Sequence, residues 1–364
     1  MIKPKKKPTF ANFSSGPTKK PEGWSINKLN LNLLGRYHRS KDARAFLKLI
    51  FENLKESLNI PQNYKILLNP GSCTGAMQSV IWSVLGDNKI TSIVYDFWGE
   101  QWSHDIKKLK YKQEVRKNLN GKMPSLENIS KEDDIMFVWT GTTNGMSVNN
   151  LDWISESHNG LVISDITSSV FISNISWEKI DIGVFSWQKA LGSESQHGIT
   201  ILSPKACDRI KHKKKHKHLI PKILDINEFP ELINTPSLLC MADFQHCLSW
   251  FINKGGLKWS TKLCKENFLI LNKWEKQNNF VKYFCKNEDF RSITPSYFIF
   301  NENIGVDIIK RILLFLETEN IAYDINSYRK APLGIRIWTG PTIIKKDLIA
   351  LTKWLDWTFY NFIK

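Results

Sequence analysis

The sequence contains little that would indicate a metal, redox or membrane role. Its six cysteines among 364 residues form no C-x-x-C pair and no zinc-ligand spacing, so no metal site is expected, and the cysteines are predicted to be reduced and mostly buried. No apolar run approaches the roughly 18 residues of a membrane-spanning helix. The basic segment at residues 1–10 is not followed by the apolar run of a secretory signal. These absences predict a cytoplasmic protein that does not enter a membrane.

Positive charge is abundant, with a formal net charge of +16. Lysines are scattered along the whole chain, so the charge alone does not predict a partner. The basic run Lys205–His218 could form a nucleic-acid patch or a metal site built from His212, His216 and His218. However, no aromatic residues are interleaved for base stacking, and no carboxylate lies among the cations of Lys211–His218. The run is therefore predicted to be a solvated helix end and loop, and nucleic acid is not an expected partner.

Short apolar segments alternate with helical patterns in the first part of the chain, which predicts an α/β fold: a mostly parallel sheet with helices on both faces. After about Pro236 longer helical patterns predominate, and an apolar stripe recurs at helical spacing within Lys345–Phe362. We predict an N-terminal arm at residues 1–16, a large domain at 17–250 and a smaller α+β domain at 251–364. The main predicted strands are Tyr64–Leu68, Ser92–Tyr95, Ile135–Trp139, Leu161–Ser164, Ile182–Phe185, Gly198–Leu202, Ser296–Phe300 and Gly334–Trp338. The main predicted helices are Leu29–Leu34, Ala43–Leu58, Ala76–Leu85, Met241–Asn253, Ser260–Lys276, Val306–Glu317 and Lys345–Phe362.

One lysine, Lys189, lies between an apolar run and a Gly/Ser-rich loop in the segment Phe185–Thr200, FSWQKALGSESQHGIT. A partly dry position or neighbouring cations lower the pKa of such an amine and make it a nucleophile that can form a Schiff base. Upstream, Leu161–Asp165 is typical of a short buried strand with an aspartate at its carboxyl end. That carboxylate could pair with the ring nitrogen of pyridoxal phosphate and maintain the ring as an electron sink. Alone, each residue is more often a surface lysine or a helix cap, but together they indicate a cofactor site.

A glycine-containing turn, Asn69–Gly75, connects a predicted strand to a predicted helix. Backbone N–H groups and hydroxyls at a helix N-terminus stabilise a phosphate dianion. No lysine follows the second glycine, so the turn is not a Walker loop. By itself the turn is a weak signal, but in combination with a Schiff-base lysine it predicts an anchor for a phosphorylated cofactor.

Taken together, these segments resemble the phosphoserine aminotransferase family, which belongs to the class V, fold-type I pyridoxal-phosphate enzymes. The resemblance extends over nearly the whole chain. The segment Asn12–Pro17, NFSSGP, is similar to the family's N-terminal motif, and His38 with Arg39 to its substrate-binding pair. The form SWQK at Ser186–Lys189 is typical of one bacterial and archaeal branch. Gly334–Arg336 matches the position of the arginine that holds the substrate carboxylate.

The resemblance implies roles for individual residues. Lys189 would carry the Schiff base and Asp165 would hold the ring nitrogen, and these two are the predicted catalytic residues. The implied cofactor contacts are Ser72, Cys73, Thr74, Trp98, Thr142, Asp165, Gln188, Lys189, Asn234 and Thr235, of which Asn234 and Thr235 would reach the site of the neighbouring subunit. The implied substrate-binding residues are Ser15, His38, Arg39, Arg329 and Arg336. Cys73 departs from the family branch, which often has an aspartate there, and Lys211–His218 is also unlike the family's sequence.

The same resemblance implies a homodimer with shared active sites and pyridoxal 5′-phosphate as cofactor. The implied reaction transfers an amino group between L-glutamate and 3-phosphohydroxypyruvate, giving O-phospho-L-serine and 2-oxoglutarate in serine biosynthesis. A related four-carbon phosphorylated keto acid of pyridoxine biosynthesis is a second candidate substrate. Three alternatives stay open: an alanine–glyoxylate type aminotransferase, a cysteine desulfurase, for which no cysteine is clearly placed, and a nucleic-acid-binding protein on an inactive enzyme scaffold.

Overall fold

Helices surround a large sheet in the first part of the chain, and a smaller sheet follows in the C-terminal part. The computed structural model describes residues 1–213, 219–226, 232–329 and 331–363. In these residues the α-helices are Lys41–Ser57 (α1), Ser72–Ser83 (α2), Phe97–Lys108 (α3), Pro204–His212 (α4), Leu238–Asn253 (α5), Gly256–Lys276 (α6), Val306–Thr318 (α7) and Lys345–Ile363 (α8). The strands are Lys65–Pro70 (β1), Ile90–Val94 (β2), Gln113–Lys117 (β3), Asp134–Val138 (β4), Thr140–Gly141 (β5), Met146–Ser147 (β6), Val162–Asp165 (β7), Ile182–Phe185 (β8), His197–Leu202 (β9), Val281–Tyr283 (β10), Ser296–Phe300 (β11) and Gly334–Ile337 (β12).

The large sheet has seven strands in the order β1-β9-β8-β7-β4-β2-β3. Neighbouring strands from β3 to β8 pair in parallel, whereas β9 pairs antiparallel with both β8 and β1. This confirms the predicted mostly parallel sheet. The central strands β4, β7 and β8 are rich in apolar residues because both faces of the sheet are covered there. In β4, for example, Ile135 and Phe137 belong to one core cluster, and Met136 and Val138 belong to the other.

The two faces of the large sheet are covered by different helices. On one face, α1 and α5 contribute Leu47, Ile50 and Phe244 to the first core cluster. On the other face, α2 contributes Met77 and Val80 to the second cluster. This confirms the predicted α/β fold with helices on both faces. The parallel strands consequently share one edge at their carboxyl ends, where the site residues of such sheets collect.

The smaller sheet is antiparallel, in the order β10-β11-β12. Helix α8 contacts both α6 and α7, and α6 contacts β10. The predicted apolar stripe of α8 is core packing, since Leu348, Leu351, Leu355 and Phe359 are all buried.

Residues near the N-terminus pack against this C-terminal part. The backbone N–H of Trp338 donates to the Phe13 carbonyl at 2.9 Å, and that of Tyr323 donates to the Ala11 carbonyl at 2.8 Å. Phe13 is fully buried. The arm and the C-terminal part are therefore joined by backbone hydrogen bonds, while the domain boundaries after residues 16 and 250 stay predictions.

Turns replace the helix that the apolar pattern predicted at Leu29–Leu34, so that prediction is wrong. The Asn32 N–H bonds to the Asn30 side chain at 3.3 Å, and such local side-chain hydrogen bonds compete with helix formation. Gly35 then adopts a positive φ of 75°, a conformation that ends helical runs. The polar edge strand β3 was not predicted, because an exposed edge does not require the apolar residues that identify a buried strand.

The basic run is partly a helix end, as predicted, but it is not wholly solvated. Helix α4 ends at His212, and the next residue, Lys213, is buried. Its amine donates to the Trp82 carbonyl, and burial lowers the pKa of Lys213 to about 8. The other residues of the run, 214–218, lie outside the described residues, and so do the predictions made for His216 and His218.

Neither a metal cluster nor a membrane span is found in the described residues. In the part of the chain that the structure describes, no group of three or more His, Cys, Asp or Glu side chains could hold a metal ion. None of the helices in those ranges has the length and apolar character needed to span a bilayer. All six cysteines are free, and all but the half-buried Cys240 are buried.

Candidate cofactor and substrate site

A cavity opens at the carboxyl ends of β4 and β7, between the N-terminus of α2 and the loop after β8. Asp165 is the last residue of β7, and Lys189 follows β8 by four residues. Because parallel strands end at the same edge, the topology brings these two residues together. The residues that line the cavity are Ser72, Cys73, Thr74, Trp98, Trp102, Val138, Thr140, Thr142, Asp165, Thr167, Ser168, Gln188 and Lys189.

Lys189 is the lysine of this cavity, and its amine is poised to lose its proton. Its Nζ donates a hydrogen bond to the Ser15 carbonyl. Burial, together with the nearby positive charge of Arg336, lowers the pKa of Lys189 to about 7, although the Asp165 carboxylate opposes the shift. A large share of the amine is therefore neutral near pH 7, which is the form that attacks a carbonyl carbon.

The Asp165 carboxylate is held by two donors. Trp102 Nε1 donates to Oδ2 at 3.2 Å, and the Thr167 backbone N–H donates to Oδ1 at 3.0 Å. The side chain is only 5% exposed. Hydrogen bonds from neutral donors orient a carboxylate and favour its charged form. Asp165 is thereby placed to hold a positively charged nitrogen.

The turn that the sequence predicted as a phosphate anchor lies at the N-terminus of α2, and the helix begins at Ser72 rather than at Ala76. Gly71 and Ser72 have positive φ values of 77° and 56°, and both their N–H groups donate to the Gln196 carbonyl at 3.2 Å. Among the described residues, no acceptor is hydrogen-bonded to the backbone N–H of Cys73 or Thr74. These two groups at a helix N-terminus are suited to an anionic oxygen.

The cysteine in this turn does not disturb the anion site. Cys73 is buried, and burial together with the Asp165 charge raises the pKa of its thiol well above the usual value. The thiol is therefore neutral and adds no charge that would repel a phosphate.

Strand β9 packs closely against the same turn. A Cβ on Gly198 would lie 2.4 Å from the Ser72 carbonyl oxygen, so only a glycine at this position lets β9 approach the turn.

Arg336 reaches the same region from β12 in the C-terminal part. The side chain is 6% exposed, and its Nη1 donates to the Thr142 carbonyl at 3.4 Å. Its guanidinium lies 5.3 Å from the ring centroid of Tyr328. Its Nε has no hydrogen-bond partner in the described residues. A buried guanidinium with an unused donor is suited to bind a carboxylate.

An aromatic wall closes one side of the cavity. Trp98 and Trp102 lie one helical turn apart on α3, and their rings stack with centroids 5.8 Å apart and an interplanar angle of 27°. Tyr328 lies 6.1 Å from Trp98. Opposite these rings, the hydroxyls of Thr142 and Ser168 are hydrogen-bonded to each other. The predicted position of Trp98 beside Lys189 and Asp165 therefore agrees with the cavity.

Several predicted residues do not line the cavity of this chain. His38 is half-buried and Arg39 is exposed just before α1, and Asn234 and Thr235 precede α5. These four are not among the residues that line the cavity, so their roles stay predictions. Arg329 is exposed and has a positive φ of 39°. The Arg329 guanidinium packs over Phe97 and Tyr328, 5.2 Å from each ring centroid.

The structure adds site residues that the sequence did not identify. Thr167 and Ser168 follow Asp165 by two and three residues, so their nearness to a strand end was a usable signal. Trp102 follows Trp98 by four residues on α3, which places both side chains on one face. The remaining addition is the pair Val138 and Thr140, at and just after the end of β4.

Comparison with known proteins places the chain in a family. No protein-family model matches it. The phosphoserine aminotransferase of Methanosarcina mazei is 38% identical over 374 aligned residues, covering 100% of both chains. That of Methanosarcina barkeri is 36% identical over the same length and coverage.

A solved structure of a phosphoserine aminotransferase, determined to follow radiation damage of its Schiff base, has the same fold. It superposes with a TM-score of 0.84 at 19% identity and covers 97% of this chain and 99% of its own. The fold is thus that of a Schiff-base aminotransferase, and the full-length relatives share more than a third of their residues with this chain. The chain belongs to the phosphoserine aminotransferase family, whose members are pyridoxal 5′-phosphate-dependent aminotransferases.

Proposed function

We propose that this protein transfers an amino group from L-glutamate to 3-phosphohydroxypyruvate, giving O-phospho-L-serine and 2-oxoglutarate for serine biosynthesis. The observation that carries the proposal is the buried amine of Lys189, whose pKa is lowered to about 7, beside the Asp165 carboxylate and the Arg336 guanidinium. This combination provides a nucleophile and a partner for a positively charged nitrogen in the cavity, with a carboxylate-binding group beside it that is hydrogen-bonded to the cavity-lining Thr142. The names of the Methanosarcina relatives support the same reaction.

The residues of the cavity fit pyridoxal 5′-phosphate. The unpartnered N–H groups of Cys73 and Thr74 would hold its phosphate, Asp165 its ring nitrogen and Lys189 its aldehyde carbon. Ser15 Oγ is buried without a hydrogen-bond partner in the described residues, as is Arg336 Nε, and both atoms are therefore available to a polar group of a ligand. When bound, the cofactor supplies an electron sink for the charge that develops at the α-carbon of an amino acid.

Lys189 moves the proton during the reaction. Its neutral amine takes a proton from the substrate α-carbon as a general base and returns it as a general acid. Because the pKa of Lys189 is about 7, neither form of the amine predominates strongly near neutral pH. The hydrogen bond to the Ser15 carbonyl holds the side chain in place.

The rate at which the apoenzyme binds pyridoxal phosphate covalently is expected to rise between about pH 6 and pH 8 and then to level off. The reason is that the neutral fraction of Lys189 increases through its pKa of about 7. Stopped-flow absorbance of the forming cofactor band measures this rate. The cofactor itself also ionises in this pH range. The rate at which it reacts with N-acetyl-lysine under the same conditions corrects for that ionisation of the cofactor. A corrected rate that continued to rise to pH 10 would contradict the lowered pKa.

Arg336→Lys is expected to raise KM for glutamate about 100-fold and to change kcat much less. A lysine cannot bind a carboxylate with two parallel hydrogen bonds as a guanidinium does. Steady-state kinetics with glutamate as the varied substrate measure the effect. Arg291→Lys is the matched control, because Arg291 also packs over a tyrosine ring, 4.3 Å from Tyr283, but outside the cavity. Equal KM values for the two variants would refute the role of Arg336.

A phosphorylated acceptor needs a second anion-binding group, and we assign it to His38, Arg39 and Arg329. The first two would come from the partner of a homodimer, as would Asn234 and Thr235 at the cofactor phosphate. Sedimentation equilibrium tests the dimer. A monomer at assay concentration would leave the site without these groups and would oppose the assignment.

One assay tests the proposed function and its alternatives together. Glutamate-dependent amination is measured with 3-phosphohydroxypyruvate, with the four-carbon phosphorylated keto acid of pyridoxine biosynthesis, and with pyruvate and glyoxylate. We expect both phosphorylated acids to be preferred over the unphosphorylated ones. Preference for glyoxylate would instead identify an alanine–glyoxylate type enzyme. A desulfurase is not favoured, since all the cysteines except the half-buried Cys240 are buried.

A further inference from the structure

Trp102 contacts the group that the proposed mechanism depends on, although it was not among the predicted site residues. It lies on α3, is 2% exposed and lines the cavity. Its Nε1 donates to Asp165 Oδ2 at 3.2 Å. The other carboxylate oxygen, Oδ1, accepts from the Thr167 backbone at 3.0 Å. Both oxygens of Asp165 therefore have one fixed donor each.

The chemistry of the indole donor distinguishes it from the usual partners of a buried aspartate. An indole N–H only donates and carries no charge. It can orient a carboxylate without neutralising it, whereas a lysine or arginine would form an ion pair that occupies the negative charge. The charge of Asp165 consequently stays available for a positively charged nitrogen in the cavity.

The position of the indole is fixed independently of the hydrogen bond. Trp102 stacks on Trp98, with ring centroids 5.8 Å apart, and the two side chains lie on the same face of α3. Trp102 also belongs to the second core cluster, between α3 and the sheet. The donor is therefore held by packing on its ring.

We propose that Trp102 is a positioning residue for Asp165: its indole N–H orients the carboxylate so that it faces the ring nitrogen of the cofactor. The proposal rests on the proposed function. Its test uses cofactor binding and spectra, whereas the substrate assignment is tested with keto acids, so the two can fail separately.

Trp102→Phe is the central variant, since phenylalanine retains an aromatic ring for stacking and lacks the N–H. Without the donor the Asp165 carboxylate is no longer held facing the cofactor ring nitrogen, which then holds its proton less tightly. When the ring carries less positive charge, the nitrogen that joins Lys189 to the cofactor loses its proton less readily. The pKa of that nitrogen therefore rises. We expect the pH midpoint of the visible band of the bound cofactor to rise by about 0.5 to 1 unit. The cofactor dissociation constant, from equilibrium dialysis, is expected to increase about tenfold.

The other groups that sense the charge of Asp165 do not change in this variant. They are Lys189 and Cys73 in the cavity and Asp96 and Tyr95 beside it. A shifted midpoint therefore reports the lost N–H. Trp354→Phe is the matched control, because Trp354 is also buried and donates its indole N–H to a backbone carbonyl, that of Lys6, at 2.9 Å.

An Asp165→Asn background decides whether Trp102 acts through the aspartate. The amide cannot take the ring proton, so adding Trp102→Phe should leave the midpoint of the Asp165→Asn protein unchanged. An unchanged midpoint in Trp102→Phe alone would overturn the proposal. An equal shift in both backgrounds, or in Trp354→Phe, would overturn it too, because the effect would then come from packing.

Discussion

Replacing Lys189 by alanine is expected to lower kcat for amino transfer by at least about 10⁴-fold. The variant loses both the nucleophile and the general acid–base group, and in the described residues no other lysine lines the cavity. Single-turnover amination of 3-phosphohydroxypyruvate measures the loss, and the visible band of the covalently held cofactor should disappear with it. Added ethylamine should restore part of the proton transfer, since it supplies an amine in place of the lysine amine. The restoration should be only partial, because ethylamine is not attached to the protein.

The matched control for this substitution is Lys213→Ala. Lys213 is also a buried lysine with a lowered pKa, about 8, but its amine donates to the Trp82 carbonyl and does not line the cavity. The control variant should bind cofactor and turn over normally if it folds, which thermal unfolding establishes. Activity of Lys189→Ala above a few per cent of the Lys213→Ala value would exclude Lys189 as the catalytic lysine.

Asp165→Asn is expected to reduce kcat about 1,000-fold while the protein continues to bind the cofactor. The asparagine oxygen can still accept from either Trp102 or the Thr167 N–H, so one of the two local hydrogen bonds is preserved. What is lost is the negative charge that holds a proton on the ring nitrogen. Exchange of the glutamate α-proton with solvent deuterium isolates this step from substrate binding.

The kinetics of Asp165→Asn are interpreted only after its folding and cofactor content have been checked. Folding and cofactor content are compared by thermal unfolding and absorbance, so that only fully loaded protein enters the kinetics. An exchange rate within tenfold of the unchanged protein would show that the ring nitrogen does not need the charge of Asp165. Restoration of exchange in Asp165→Glu would show that charge, rather than side-chain length, is what matters.

The sequence was sufficient to predict that Asp165 and Lys189 lie together, because both residues lie at or soon after the ends of neighbouring strands. The strand predicted at Ile182–Phe185 has the same bounds in the structure, and the strand ending at Asp165 was displaced by only one residue at its start. Parallel pairing then brings Asp165 and Lys189 together without further information. Trp102 could not be predicted, since its contact depends on the distance between α3 and the sheet.

Local patterns failed where a side chain or a tertiary contact overrides them. Apolar spacing at Leu29–Leu34 suggested a helix, but Asn30 bonds to the backbone two residues on. Lys213 was grouped with solvated cations, yet it is buried because a backbone carbonyl is available to its amine. Arg336 was identified through the family motif, and its approach to Thr142 follows only from the packing of the C-terminal part against the large sheet.

The N-terminal arm also governs when the site can form during synthesis. Its carbonyls at Ala11 and Phe13 accept from Tyr323 and from Trp338, the residue after β12, and its Ser15 carbonyl accepts from Lys189. The arm is synthesised more than 300 residues before Tyr323 and Trp338, so it cannot take its final place beside Lys189 until they follow. Contacts between such distant segments are slow to form in folding. A nascent chain that lacks β12 and α8 should therefore be unable to retain the cofactor.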